Sequence, residues 1–237
     1  MNVHNKFDTV VFDVIGTVVD EHGSVLAETR EVLARNGFAD DSIAAGLSAE
    51  WTTQLDRALA DLRSGRARWE PSDVLQRRSL DAAIDTFPAL RIDRSDLDQL
   101  ARVGHRLRPW PDSAQALRDL QASFTVVALS NGDFSQLADM SAAGGLSWHC
   151  VLSGSMVKSV KPNPEVYQLA ISTLELDPRR SLFIACHPWD LRAAAQHGFR
   201  TAFVQRPGEA LPAEDDQFDL TATGLADLVT QLIPPVN

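Results

Sequence analysis

Residues 7–14 of the chain read FDTVVFDV and are followed by Ile15, Gly16 and Thr17. This short run is rich in β-branched and aromatic residues and lacks a helical period, so it predicts a buried strand that ends in a loop. The same signature recurs in four later segments, which read TVVAL at 125–129, CVL at 150–152, LFIA at 182–185 and TAFV at 201–204. Because helix-like segments separate these strands, the sequence predicts an α/β fold with a doubly wound parallel sheet, Rossmann-like in class.

Residues at helix ends support this alternation. Asp112 or Ser113 is expected to cap a helix that reads AQALRDLQA, and Asn163 is expected to cap the helix that begins with Pro164. Gly198 stands where the helix after the fourth strand should end.

Residues from about 24 to 107 interrupt the alternation, because they contain several segments of helical period and no convincing strand. We interpret them as an inserted helical cap domain. The predicted division is a core domain of residues 1–22 and 108–237 and a cap domain of residues 23–107. Residues 207–217 are rich in proline and acidic residues and predict a loop before a last short strand and helix.

The charge balance restricts the kind of partner. The chain has 22 Lys and Arg against 32 Asp and Glu, a net charge of −10, and its basic residues are scattered. A negative surface repels phosphate backbones and anionic lipids, so we expect no nucleic acid or membrane partner. A small-molecule substrate fits better.

Targeting and cysteine usage point to the cytoplasm. Residues 1–6 lack the charged and apolar regions of a signal peptide, and no apolar run reaches the roughly 18 residues of a membrane span. Cys150 and Cys186 both lie in apolar stretches, which predicts two buried thiols and no disulfide. The sequence leaves open whether the chain forms a homodimer.

Polar residues follow four of the predicted strands. They occupy positions 13–17, 130–133, 161–162 and 187–190. Ligands of open parallel sheets bind beyond the carboxyl ends of the strands, so these clusters are the candidate site. Each cluster alone is also compatible with ordinary turn chemistry or a surface charge.

Together, these clusters resemble the four motifs of the haloacid dehalogenase (HAD) superfamily. Asp13, Ser130, Lys161 and Asp190 match its strand-end Asp, Ser or Thr, Lys and later acidic residue. The phosphatases of this superfamily carry a second Asp two positions after the first and bind magnesium. Here that position is Ile15, which cannot transfer a proton. The chain is therefore more similar to the type II 2-haloacid dehalogenases, which act without a metal.

The resemblance implies a division of roles among the site residues. Asp13 is the nucleophile that displaces halide and forms an aspartyl ester, which water then opens. Lys161 keeps Asp13 ionised, and Asp190 positions Lys161 or the water. Ser130 and the backbone around Asn131 hold the substrate carboxylate.

Further residues are assigned to substrate binding or to shaping the site. Thr17 is expected to orient the first loop, and Ile15 and Tyr167 are placed near the substrate by the same resemblance. His187 is expected either to donate to the leaving group or to hydrogen-bond the loop. Many relatives carry a halide-binding arginine on the cap, and Thr52 stands at that position here. Arg57, five positions further along the same predicted helix, is the alternative halide-binding residue. The resemblance implies no metal and no cofactor.

Three alternatives to dehalogenation stay open on the sequence alone. The same ester chemistry could open another small carboxylate, such as a strained cyclic imino acid, since the cap arginine is missing. A magnesium-dependent phosphatase is disfavoured by Ile15. A non-enzymatic binding module is disfavoured because Asp13, Ser130, Lys161 and Asp190 are all present.

Overall fold

The structure is a computed structural model that describes residues 6–233. Its contacts divide the chain into two compact units, one of residues up to Asp20 and from Arg108 onward, and one of Glu21–Leu107. The prediction that no signal peptide is present depends on residues 1–6, and residues 1–5 lie outside the described part of the chain.

The first unit is built on a six-stranded parallel sheet. Its strands lie in the order β5, β4, β1, β6, β7, β8. They are β1 (Thr9–Phe12), β4 (Thr125–Ser130), β5 (Cys150–Ser153), β6 (Ser181–Ala185), β7 (Arg200–Val204) and β8 (Leu220–Ala222). This topology confirms the predicted α/β class with a doubly wound sheet.

Helices follow the strands of this sheet, as predicted. They are α5 (Ser113–Gln121), α6 (Phe134–Gly144), α7 (Pro164–Thr173), α8 (Pro188–Gln196) and α9 (Leu225–Leu232). Every residue of β1 and β6 is buried, which indicates that both faces of the central sheet are covered. Gly198 follows the end of α8 with a φ of 87°, the left-handed conformation expected after a helix.

A short antiparallel pair was not predicted. β2 (Val19–Asp20) pairs with β3 (Arg108–Pro109), close to both boundaries of the inserted unit. Each strand has two residues, and so short a segment shows no periodicity that could reveal it in the sequence.

The second unit is helical, in agreement with the pattern of its sequence. Its α-helices are α1 (Glu21–Arg35), α2 (Asp41–Arg63), α3 (Ser72–Ile84) and α4 (Arg94–Leu100). Inside this unit, α2 packs on α3, where the Trp51 indole is buried and donates to the Gln76 carbonyl at 3.1 Å. That this unit acts as a cap remains a prediction.

Two expected helix caps were wrong in their chemistry, although the helix positions were right. Asp112 precedes α5 but makes no capping hydrogen bond, and its carboxylate instead accepts from Arg206 at 3.0 Å and from the Leu225 amide at 2.7 Å. Asn163 precedes α7 without capping it and donates to Ser159 Oγ at 3.2 Å. Long-range and loop partners have replaced the local ones in both cases.

Both cysteines are unpaired, as predicted, but only one of them is as buried as predicted. Cys150 and Cys186 are both free, but only Cys186 is fully buried, while Cys150 is half-buried at the start of β5. Within residues 6–233, no helix combines the length and the apolar character that a bilayer crossing requires.

Candidate active site

The strand ends carry the candidate residues to one edge of the sheet. β1 lies between β4 and β6, with Phe12 aligned with Ala128 and Ile184. Asp13 directly follows β1, and its side chain is almost fully buried. Parallel strands point their carboxyl ends the same way, so the residues after β4 and β6 lie beside Asp13.

Lys161 joins two of the predicted acidic residues. Its ammonium donates to Asp13 Oδ1 at 2.7 Å and to Asp190 Oδ2 at 2.5 Å. Only 1% of the Lys161 residue is exposed, and Asp190 is fully buried. A buried ammonium between two carboxylates is a strong ion-pair arrangement, because little water is present to screen it.

Burial and neighbouring charges shift the pKa values of Lys161 and Asp190 in the triad of Asp13, Lys161 and Asp190. Burial acts to lower the pKa of Lys161, but attraction to Asp13 and Asp190 outweighs it and raises that pKa above the ordinary lysine value. Lys161 is therefore a cation throughout the neutral range. Burial raises the pKa of Asp190, while Lys161 and Tyr167 act in the opposite direction.

Tyr167 contacts Asp190 from the protein interior. Its phenol hydroxyl donates to Asp190 Oδ1 at 2.5 Å, and the whole side chain is buried against Phe183 and His197. Our expectation placed Tyr167 near the substrate. The structure instead uses its hydroxyl to hold Asp190, which holds Lys161.

We expect Tyr167→Phe to destabilise the fold by about 1–3 kcal/mol, since one buried Asp190 oxygen loses its donor. Urea denaturation would measure the change. A double-mutant cycle with Asp190→Asn provides the control, because the Tyr167→Phe cost should shrink when Asp190 is uncharged. An equal cost in both backgrounds would contradict the assigned hydrogen bond.

Thr17 fixes the orientation of Asp13. Its hydroxyl donates to Asp13 Oδ2 at 2.7 Å and accepts from the Cys186 amide at 2.9 Å. The carbonyl of Thr17 in turn accepts from Arg206 Nε at 2.8 Å, and the carbonyl of Gly16 accepts from Trp110 Nε1 at 2.8 Å. The first loop is thus held by side chains from distant parts of the chain.

The loop after β4 uses its polar atoms to maintain its own shape. Ser130 Oγ accepts from the Gly132 amide at 3.2 Å, and Asn131 Oδ1 accepts from the Lys161 amide at 2.6 Å. Asn131 therefore fixes the position of the Lys161 backbone. A Cβ at Gly132 would lie 3.2 Å from Ile15 Cδ1, so this loop and the first loop are adjacent.

The donor set does not fit magnesium. Asp13 and Asp190 both bind the Lys161 ammonium, and Ile15 offers no oxygen from its side chain. Octahedral magnesium needs several oxygen ligands, often carboxylates that are free to bind it. The site thus has the wrong ligands, and an ammonium already bridges the two carboxylates.

One group of three potential metal ligands occurs among residues 6–233. It consists of Asp13, Cys186 and His187. Cys186 Sγ lies 3.6 and 3.7 Å from the two ring nitrogens of His187. Burial also raises the pKa of the Cys186 thiol far above its usual range, with Asp13 adding to the shift. A neutral thiol is a poor metal ligand.

His187 lies beside Asp13 and hydrogen-bonds the first loop. Its Nε2 is 3.1 Å from the Ile15 carbonyl oxygen and 3.6 Å from Asp13 Oδ2. Its Nδ1 is 3.4 Å from Glu209 Oε2, and Glu209 was not identified as a site residue from the sequence. The loop-bonding role expected for His187 is therefore present in the geometry.

Gly16 provides the space in which His187 and Glu209 meet. Its φ is 83°, and a Cβ there would lie 2.9 Å from His187 Nε2 and 3.1 Å from Glu209 Oε1. Glycine is needed at this position both for its backbone conformation and for the close approach.

We expect Gly16→Ala to lower the free energy of unfolding by about 1–2 kcal/mol through backbone strain. Displacement of His187 by the new Cβ should lower it further. Gly37→Ala is a matched control, because Gly37 has a φ of 85° and open space around it. Thermal unfolding of both variants separates strain from contact. Equal losses of stability would show that the contact with His187 costs nothing.

Thr52 belongs to the second unit. It lies within α2, and its hydroxyl donates to the Ser48 carbonyl at 3.0 Å. This bond is local to the helix. Its expected place opposite a leaving halide stays a prediction.

Known proteins match the chain over most of its length. A family model described as haloacid dehalogenase-like hydrolase matches residues 7–198. The (S)-2-haloacid dehalogenase 1 of Pseudomonas sp. (strain CBS-3) is 31% identical over 204 residues, which are 83% of each chain. The (S)-2-haloacid dehalogenase 4A of Burkholderia cepacia is 30% identical and covers 84% of this chain and 83% of its own.

Solved structures agree with these matches. The crystal structure of the L-2-haloacid dehalogenase PA0810 superposes with a TM-score of 0.87 at 34% identity, covering 95% of this chain and 98% of that chain.

Proposed function

Because the chain belongs to the haloacid dehalogenase-like hydrolase family, we propose that it is a metal-independent 2-haloacid dehalogenase. Its substrate is a short 2-haloalkanoic acid, and its product is the 2-hydroxy acid. The observation that carries the proposal is the buried Lys161 ammonium between Asp13 and Asp190, beside Ile15. Such a site presents an ionised carboxylate as a nucleophile without a metal.

The first step displaces the halide. An Asp13 oxygen forms a bond to C2 as the carbon–halogen bond breaks, and halide leaves with the bonding electrons. Lys161 and Thr17 each hold one Asp13 oxygen, so the carboxylate is fixed before the substrate arrives. Attack from behind inverts C2, and an (S)-acid, the substrate named for the relatives, therefore yields the (R)-hydroxy acid.

The second step hydrolyses the ester. Water attacks the carbonyl carbon of the Asp13 ester, and the C2–oxygen bond stays with the product. The oxyanion that forms on Asp13 is stabilised by Lys161, which Asp190 holds in place. Ser130 and Asn131 are proposed to hold the substrate carboxylate, and His187 is proposed to act beside the leaving group.

The direct test is halide release by the purified chain. Ion-selective measurement over (S)- and (R)-2-chloropropionate, bromoacetate, chloroacetate and fluoroacetate should detect halide, and chelator should leave the rate unchanged. Fluoroacetate is included because a protein of known structure that is 32% identical to this chain is a defluorinating L-2-haloacid dehalogenase. Activity only on phosphate esters with magnesium, or only on a cyclic imino acid, would overturn the proposal.

Two further expectations concern assembly and location. A homodimer would be seen by light scattering on a sizing column, and a cytoplasmic location by fractionation of the producing cell. Neither affects the chemistry of Asp13.

A further inference from the structure

Side chains from two distant segments fix the peptide groups on either side of Thr17. Trp110 Nε1 donates to the Gly16 carbonyl at 2.8 Å, and Arg206 Nε donates to the Thr17 carbonyl at 2.8 Å. Peptide groups are planar, so fixing the two groups that flank a residue fixes both of its backbone dihedrals. The direction of the Thr17 side chain is therefore set by Trp110 and Arg206, which lie outside the first loop.

Arg206 is itself held by its neighbours on two sides. Its guanidinium carbon lies 5.4 Å from the centroid of the Trp110 ring, a cation–π contact. Its Nη1 lies 3.0 and 2.9 Å from the two carboxylate oxygens of Asp112. Asp112 Oδ2 also accepts from the amide of Leu225 at 2.7 Å, at the start of α9. Arg206 thus connects the first loop to a helix of the same unit.

Packing alone does not account for an arginine at position 206. Only 6% of the residue is exposed, and burial lowers the pKa of its guanidinium, with Asp112 acting against the shift. Its Nη2 is buried and has no hydrogen-bond partner among residues 6–233. Apolar side chains often stabilise such an interior position as well as an ion pair does. An apolar side chain cannot donate to Thr17 and Asp112 at once, as the rigid guanidinium does.

Thr17 transmits this restraint to Asp13. The Thr17 hydroxyl donates to Asp13 Oδ2 at 2.7 Å, while Lys161 donates to Oδ1 at 2.7 Å, so the two contacts set the rotation of the carboxylate about its Cβ–Cγ bond. Halide displacement needs a carboxylate oxygen in line with the carbon–halogen bond, and its rate depends steeply on alignment. We propose that Arg206 is a positioning residue: by holding the Thr17 peptide, it keeps the Asp13 carboxylate rotated for attack on C2. The inference rests on the proposed function.

Halide release in a single turnover, with the enzyme in excess, measures the first step directly. In Arg206→Met, the limiting rate should fall about 10- to 100-fold, because the attacking oxygen is no longer held in line. The enzyme concentration that gives half of this rate should stay the same, since the donors of Arg206 bond Thr17 and Asp112. A merely structural role would reduce the folded fraction, which raises that concentration and leaves the limiting rate unchanged. An unchanged limiting rate would overturn the proposal.

Two further variants separate alignment from charge. Arg206→Lys keeps a positive charge beside Asp112 but offers one nitrogen in place of two, so the limiting rate should stay low. Full recovery of the rate in Arg206→Lys would mean that the charge alone matters, against the proposal. Arg200→Met is the matched control, because Arg200 is exposed, pairs with Asp219 and begins the strand that Arg206 follows. Its limiting rate should equal that of the unaltered chain.

Amide hydrogen exchange tests the restraint without substrate. The Cys186 amide donates to Thr17 Oγ at 2.9 Å, whereas the Asp13 amide donates to the Ile184 carbonyl at 3.0 Å. In Arg206→Met, the Cys186 amide should exchange faster relative to the Asp13 amide, because only the first depends on Thr17. Equal acceleration of both amides would indicate a general loss of stability and contradict the proposal. If the Cys186 amide responds selectively but no 2-haloacid is turned over, the proposed function fails while the restraint of Thr17 by Arg206 stands.

Discussion

Replacing Asp13 with asparagine is expected to lower kcat by at least about 10⁴-fold and to leave the fold intact. Asparagine has the shape of aspartate but lacks the anionic oxygen that attacks carbon. Its carbonyl oxygen can still accept from Lys161, and Asp190 still balances the ammonium. Halide release measures the loss, and circular dichroism with thermal unfolding checks the fold.

Asp8→Asn is a matched control for this substitution. Asp8 precedes the other end of β1, is exposed and pairs with Arg180, so its replacement should leave turnover unchanged. Oxygen-18 labelling then tests the route in the unaltered chain. In a single turnover in labelled water, the product hydroxyl should carry unlabelled oxygen from Asp13, and the label should enter Asp13. Label in the first product molecule would instead mean direct attack by water.

The central triad could be predicted because the topology brings strand ends together. Asp13 and Asp190 follow β1 and β6, which are neighbours in the sheet, and Lys161 lies in the segment after β5. A sequence that reveals the strands also reveals which residues lie at their carboxyl ends. The local sequence pattern was sufficient to predict this cluster, because the order of the strands in the sheet brings the three residues together.

Residues that act through long-range side-chain contacts could not be predicted in this way. Glu209 and Arg206 come from the loop after β7, whose proline and acidic residues resemble an ordinary linker. Arg206 nevertheless bonds the Thr17 carbonyl and Asp112, across more than 90 positions of the chain. The expected cap by Asp112 was wrong for the same reason, since the buried guanidinium competes for its carboxylate. Neither the contact of Arg206 with Thr17 nor that with Asp112 produces a periodic pattern in the sequence.

The other large effect is expected at Lys161. Lys161→Met should destabilise the fold by about 3–5 kcal/mol, because two buried carboxylates lose the cation that compensates them. Turnover should be lost as well, since nothing then stabilises the ester oxyanion. Lys158→Met, an exposed lysine three positions earlier, is the control and should have little effect on either quantity.

The destabilisation by Lys161→Met should also depend on pH in a defined direction. Without the ammonium, burial and the charge of Asp13 raise the folded-state pKa of Asp190 further above that of the unfolded chain. Groups with raised pKa values contribute stability below the unfolded pKa and lose it as pH rises. The difference between the variant and the unaltered chain should therefore be smaller near about pH 5 than near about pH 7.5. Urea denaturation at both pH values measures it, and a difference that grows as pH falls would contradict the assignment of Lys161 as the cation that lowers the pKa of the buried Asp190 carboxylate.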